Sequence, residues 1–247
     1  MVLILGGTSE ARQLAAAMVQ RGATVTSSLA GRVASPRLPA GEVRIGGFGG
    51  PDALARWLAD HQVAAVIDAT HPFAERISAS AAIACAIASV PRLRLERPGW
   101  QAREGDRWLW VDDLDQAAAA IPAASGERVF LTTGRQGLAA FAQDGKSWFL
   151  IRCVDQPGPP LPARSEVILD RGPFILAGEL QLIDDHRIDV LIIKDSGGSF
   201  TAAKLDAARE RGLPVIVVRR PPRPGGPAVT SVQAALEWAH AGYRLGV

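Results

Sequence analysis

Short apolar runs alternate with helix-forming segments along the whole chain, and this cadence restricts what it can fold into. Val2–Leu5 is apolar and ends at Gly6-Gly7-Thr8. Ser9 can cap a helix to about Arg21, with Leu14, Ala15, Met18 and Val19 on one side. Gly22 closes that helix, and Ala23–Ser28 reads as a second strand. Val43–Ile45 is a short strand, and Pro51-Asp52 opens a helix to about His61. Val63–Asp68 is apolar up to its last residue, as a strand buried on both faces must be. A helix from about Phe73 to Ala88 and a strand at Arg92–Leu95 follow. Parallel strands need crossover helices, so the pattern predicts a doubly wound parallel sheet.

After a loop at Pro98–Arg107 the cadence starts again. Strands are expected at Trp108–Val111, Arg128–Leu131, Phe149–Cys153, Val167–Leu169, Val190–Lys194 and Val215–Val218. Helices are expected from Asp112 to about Ile121, from about Gln136, from about Ile175 to Asp185, from Thr201 to Arg211, and from about Ser231. The fold class is therefore α/β, two Rossmann-like parallel-sheet units with the active site expected in the cleft between them. The expected boundaries are 1–96 and 97–247, with elements open to exchange between the units.

Composition excludes some functions. A formal net charge of +2 gives no polyelectrolyte character, so nucleic acid is not an expected partner. No membrane partner is expected either, because the apolar stretches carry polar breaks and fall short of a span. The N-terminus has no basic n-region or signal-length apolar run, and Cys85 and Cys153 form no CxxC pair. A cytoplasmic protein, without metal, is the expectation; His61, His71, His186 and His240 are scattered. Of the 27 basic residues only Lys146, Lys194 and Lys204 are lysines. Arginine forks carboxylates and phosphates bidentately, which suits a polyanionic ligand, although a GC-rich genome also raises the arginine count.

Five strand-end loops can carry chemistry. Gly6–Ala11 sits where a dinucleotide loop belongs but is not GxGxxG; Gly7 and Thr8 can hold a phosphate or form a plain tight turn. Ser28 ends strand two and Arg32 follows it, where no acidic residue awaits a ribose hydroxyl; they suit a 2′-phosphate and hence NADP, or a substrate carboxylate, or Arg32 is a plain surface-loop arginine. Asp68–Phe73 places His71 at a strand end, as a proton donor or substrate ligand or as a turn-shaping residue. Thr133, Gly134 and Arg135 make a second anion cradle. Lys194 ends an apolar strand before Asp195-Ser196-Gly197-Gly198, to bind a carboxylate, assist protonation or pair with Asp195. No GxSxG, GxxxxGK[ST], HExxH or Tyr-x-x-x-Lys occurs.

Together Gly6–Ala11, DATHPFA at 68–74, RLERPGW at 94–100, LTTGR at 131–135, GPF at 172–174 and KDSGG from Lys194 through Lys204 resemble the precorrin-6A reductase family. The resemblance spans nearly the whole chain, and DATHPFA with KDSGG is its specific part. It implies NADPH-dependent reduction of a macrocycle double bond in a soluble, polycarboxylate tetrapyrrole of the cobalamin pathway, precorrin-6A becoming precorrin-6B. It implies no metal or flavin. On this reading Lys194 and His71 are the catalytic candidates, and Gly7, Thr8, Ser28, Arg32, Thr133, Gly134 and Arg135 bind NADPH. Thr70, His71, Phe73, Arg94, Arg97, Lys194, Ser196, Gly197 and Gly198 bind substrate. A monomer that hands its product to the next pathway enzyme fits the resemblance. A cobalt-precorrin-6A reductase using NADH and a non-catalytic nucleotide- or tetrapyrrole-binding protein stay open.

Overall fold

The computed structural model describes residues 1–31, 33, 35–124 and 127–242. In chain order it builds β1 (Val2–Leu5), α1 (Ser9–Gln20), β2 (Val25–Leu29), β3 (Glu42–Ile45), α2 (Pro51–Asp60), β4 (Ala65–Asp68), α3 (Glu75–Ile87) and β5 (Arg92–Leu95). Then come β6 (Arg107–Val111), α4 (Leu114–Ala120), β7 (Arg128–Leu131), β8 (Trp148–Cys153), β9 (Ser165–Leu169), α5 (Leu176–Asp185), β10 (Val190–Lys194), α6 (Ala203–Glu210) and β11 (Pro214–Val218). The chain closes with β12 (Ala228–Val229) and α7 (Val232–Gly242).

Among the described residues all strand pairs are parallel, in two sheets. The orders are β12-β5-β4-β1-β2-β3 and β6-β11-β10-β7-β8-β9. Reading outward from β1, the first sheet has the 3-2-1-4-5-6 order of dinucleotide-binding folds; the second repeats the first five positions from β7, but its sixth is β6, which precedes β7 in the chain, and each sheet has a switch point beside its central strand. The chain divides into Met1–Pro98 with Pro221–Val247, and Gly99–Arg220. The expected span 97–247 for the second unit is corrected at its end. Ala228–Val229 pairs with Arg94–Leu95, and Ala235, Leu236 and Ala239 of α7 pack into the core beside α1.

Strand period explains the packing. Val2 and Ile4 face Leu14, Ala15 and Met18 of α1, whereas Leu3 and Leu5 face Leu54 and Leu58 of α2 and Ala81 and Ala84 of α3. β1 is thus buried on both sides, which is why its sequence is an unbroken apolar run. Truncating Leu14, which is fully buried, to alanine would cost about 2–5 kcal/mol. In the second unit Phe130, Leu191, Ile193 and Val217 pack on Ile183 of α5 and Leu205 and Ala208 of α6. Among the described residues no helix is long and apolar enough to cross a membrane.

Three expected elements differ. Thr8, not Ser9, caps α1: it is extended and its hydroxyl accepts from Ala11 N. α3 begins at Glu75 rather than Phe73, because a turn, Ala74 N to His71 O at 2.8 Å, intervenes. No α-helix follows LTTGR; Gly137, at φ +89°, resets the chain into a single 3-10 turn, Leu138–Phe141.

Candidate functional site

In a sheet of this order ligands collect beyond the strand carboxyl ends, and all five loops singled out above lie there. In the first unit the loops after β1 and β4 are tied together. Thr8 Oγ1 donates to Ala69 O (2.8 Å) while accepting from Ala11 N (3.1 Å), so the buried hydroxyl is fully used as cap and strut. Gly7, at φ +111°, faces open space where a Cβ would be. Glu10, in the first turn of α1, accepts from Arg97 NH1 (2.8 Å) and from Ser9 Oγ (3.0 Å). A paired carboxylate therefore already sits at this helix start, where a phosphate would otherwise be favoured. Ser28 is buried, and its carbonyl accepts from Gly6 N (2.9 Å). Arg32 lies outside the described residues.

The DATHPFA turn is built around Asp68, which is fully buried. Its Oδ1 accepts from Thr70 N (3.2 Å) and Thr70 Oγ1 (2.6 Å). Its Oδ2 has no hydrogen bond and lies 3.6 Å from Arg223 NH2. His71 is half-buried, its ring 5.8 Å from that of Phe73. His71 Nδ1 accepts from Phe73 N (3.2 Å). A neutral ring accepting there would carry its proton on Nε2. Arg94 donates through NH1 to Pro224 O, and its Nε is 3.8 Å from Glu96.

In the second unit Lys194 Nζ donates to Gln136 O (3.5 Å), which links the loops after β10 and β7. Thr133 Oγ1 is buried with no hydrogen-bond partner, and Gly134, at φ +78°, has open space beside it. Arg135 is exposed. Ser196 N donates to Lys194 O (2.6 Å), which starts a tight turn through Gly197 (φ +65°) and Gly198 (φ +79°). Asp195 anchors this turn. Its carboxylate accepts from Trp100 N (2.9 Å) and meets Arg220 Nε at 3.1 Å. Trp100 Nε1 donates to Gly198 O (3.1 Å).

Beneath the turn lies a charged core. Arg152 and Glu179, both nearly inaccessible, pair bidentately at 2.6 and 3.1 Å, with the guanidinium 3.7 Å over the Phe174 ring. Lys204 is buried as well; it donates to Thr201 O (2.6 Å) and lies 4.9 Å from the Trp100 ring. Burial, and then the nearby Arg152, push its ammonium down to about 7, against an upward pull from Glu179.

The structure thus joins Thr8, Thr70, His71 and Phe73 in one unit, and Lys194, Ser196, Gly197 and Gly198 with the Thr133 loop in the other. Arg94 and Arg97 are engaged by Pro224, Glu96 and Glu10. Sequence reasoning missed Arg223, Asp195 as an anchor, Arg220 and the Arg152–Glu179 pair. Trp100 and Lys204 lay inside quoted motifs, but only as motif letters.

Two all-parallel sheets in dinucleotide-fold order, each with glycine–threonine loops at its carboxyl edge, define a two-unit Rossmann-like α/β protein. The profile of the family described as "Precorrin-6x reductase CbiJ/CobK" matches residues 1–240. The precorrin-6A reductase of Rhodococcus erythropolis is 52% identical over 239 residues, 96% of either chain. The cobalt-precorrin-6A reductase of Priestia megaterium is 31% identical over 234 residues, 90% of this chain and 91% of that one. A solved structure, "CobK precorrin-6A reductase", superposes with a TM-score of 0.92 at 40% identity, covering 98% of this chain and 96% of that one. The chain belongs to the precorrin-6x reductase family, CbiJ/CobK.

Proposed function

We propose that the protein reduces precorrin-6A to precorrin-6B in cobalamin biosynthesis, with NADPH as the reductant. The greater likeness to the relative named for the cobalt-free substrate, 52% against 31%, favours precorrin-6A over its cobalt complex. The observation that carries the chemistry is the carboxyl edge of the second unit. There a lysine amine reaches the backbone of a loop whose buried threonine hydroxyl is unspent and whose glycine stands open.

That loop fits a dinucleotide diphosphate. An orphaned buried hydroxyl costs stability unless a ligand satisfies it, and the glycine admits close backbone approach. Thr133, Gly134 and Arg135 would hold the diphosphate. In the first unit Thr8's hydroxyl is already committed and Glu10 occupies the helix start, so the Gly7 turn is left to a substrate carboxylate. When bound, the reduced nicotinamide supplies a hydride to one carbon of a ring double bond. The neighbouring carbon takes a proton. Lys194 anchors a substrate carboxylate by charge, and His71 presents Nε2–H as hydrogen-bond or proton donor.

The deciding assay is anaerobic, with precorrin-6A and cobalt-precorrin-6A each offered NADPH and NADH. Loss of NADPH absorbance dependent on precorrin-6A is expected; binding without turnover would make the protein a carrier instead. Lys194→Ala and His71→Ala are expected to lower turnover or substrate affinity in folded protein, and wild-type kinetics in both would remove them from the site. Arg32→Ala leaves the preference for NADPH over NADH unchanged if the second unit alone holds the cofactor. It narrows that preference if the 2′-phosphate lies on the first unit.

A further inference from the structure

The segment after Arg220 reads as a proline-rich linker, Pro221-Pro222-Arg223-Pro224-Gly225-Gly226, yet it is held at several points. Arg92 NH2 donates to Gly225 O (2.6 Å), and Arg94 NH1 donates to Pro224 O. Backbone bonds from Arg94 N to Pro227 O (3.0 Å) and from Glu96 N to Val229 O (2.9 Å) continue the attachment into β12. The effect is to fix Arg223, whose side chain is 6% exposed, against the turn that follows β4.

Its guanidinium meets four oxygens of that one turn. NH2 lies 3.6 Å from Asp68 Oδ2 and donates to Thr70 Oγ1 (3.4 Å); NH1 donates to His71 O and Pro72 O, each at 3.4 Å. Asp68 is wholly shielded from water, and its Oδ2 has no hydrogen-bond donor. Arg223 is therefore the charge that offsets this carboxylate. Asp68 Oδ1 in turn orders Thr70 through both its amide and its hydroxyl. The next residue is His71, whose Nδ1 is already used within the turn. The direction of His71 Nε2 thus depends on the backbone that Arg223 braces.

We infer that Arg223 is a positioning residue that holds the 68–72 turn and, through it, sets the aim of His71. Only a planar fork with several donors can serve Asp68, Thr70, His71 and Pro72 at once; a lysine would keep the charge and lose the geometry. This rests on the reductase reading for its effect on turnover, but not for its effect on the turn.

The test uses the full-length enzyme with Arg223→Ala and Arg223→Lys. A misplaced catalytic group costs about 10²-fold in rate, so kcat is expected to fall by about that factor in Arg223→Ala, with KM for NADPH nearly unchanged. Added guanidinium ion is expected to restore part of kcat in Arg223→Ala and none in Lys194→Ala. Arg223→Lys is expected to fold like the wild type and still lose most of its kcat. Independently of substrate, amide exchange at Thr70 and Ala74 should quicken in Arg223→Ala while that of β1 holds. A kcat within about two-fold of wild type in folded Arg223→Ala, or unchanged exchange at Thr70 and Ala74, would overturn the inference. Should wild-type enzyme fail to turn over precorrin-6A, the reductase reading falls, and the exchange measurement alone decides the role of Arg223.

Discussion

Replacing Lys204 with methionine should remove a pH dependence from the stability of the chain. The ammonium is buried under the Trp100 ring and close to Arg152, and it donates a hydrogen bond to Thr201 O. Burial first, and Arg152 second, lower its folded-state value from 10.5 to about 7. Between those values the unfolded chain holds a proton that the folded chain lacks. Stability therefore rises with pH across the window and is lost as pH falls from 10.5 toward 7. A full proton difference is worth about 1.4 kcal/mol per pH unit. Folded Lys204 is half protonated at the lower end, so the gain between about pH 7 and about pH 9 integrates to about 2 kcal/mol. Urea unfolding followed by tryptophan fluorescence at both pH values, on wild type and Lys204→Met, isolates this contribution as the difference of the two slopes. The methionine side chain also leaves Thr201 O without its donor, but that loss does not vary with pH. Parallel stability curves for the two proteins would show that Lys204 stays charged when folded and would refute the reasoning.

The Arg152–Glu179 pair gives a second prediction: Glu179→Ala strands a buried guanidinium and should cost about 3–5 kcal/mol in urea unfolding, much of it recovered in Arg152→Met/Glu179→Leu. Thr133→Val removes a buried hydroxyl that lacks a partner, so the ligand-free enzyme should be as stable as wild type or more so. In the same variant NADPH should bind about tenfold more weakly by calorimetry, since a hydrogen bond to a charged group is lost; unchanged affinity would move the diphosphate elsewhere. A Cβ on Gly99 would lie 2.6 Å from Asp195 Oδ2, so Gly99→Ala should displace that carboxylate from Trp100 N and cost about 1–3 kcal/mol, read as a lowered unfolding midpoint.

The architecture was legible because parallel strands buried on both faces must be continuous apolar runs, and Val2–Leu5, Val63–Ile67 and Val190–Ile193 are such runs. The loops were legible for a related reason: glycine and threonine directly after such a run stand where the sheet ends. Partnerships across sequence were not. β12 is two residues long, too short to show any period, so its pairing with β5 left no mark on the pattern. Arg223 lies among prolines and glycines that read as a linker, 155 positions past Asp68. Thr8 and Ser9 are equally good caps on paper; the reach of Thr8 Oγ1 to Ala69 O decides between them. The helix expected after LTTGR fails at Gly137, whose φ of +89° takes the chain out of the right-handed region, and the Leu114 side chain, standing where a Cβ would be, holds that position to glycine. Nothing local to that loop announces a contact with α4.

The late return of β12 and α7 bears on how the polypeptide matures as it leaves the ribosome. Residues 1–98 emerge first, but the strand that covers the free edge of β5 and the helix that packs beside α1 are encoded after Arg220. Until those residues have been made, the earliest-synthesised unit carries a bare edge strand and part of its apolar core uncovered, the surfaces that chaperones bind and that seed aggregation. A nonsense mutation near residue 221 would therefore damage the beginning of the protein more than the middle.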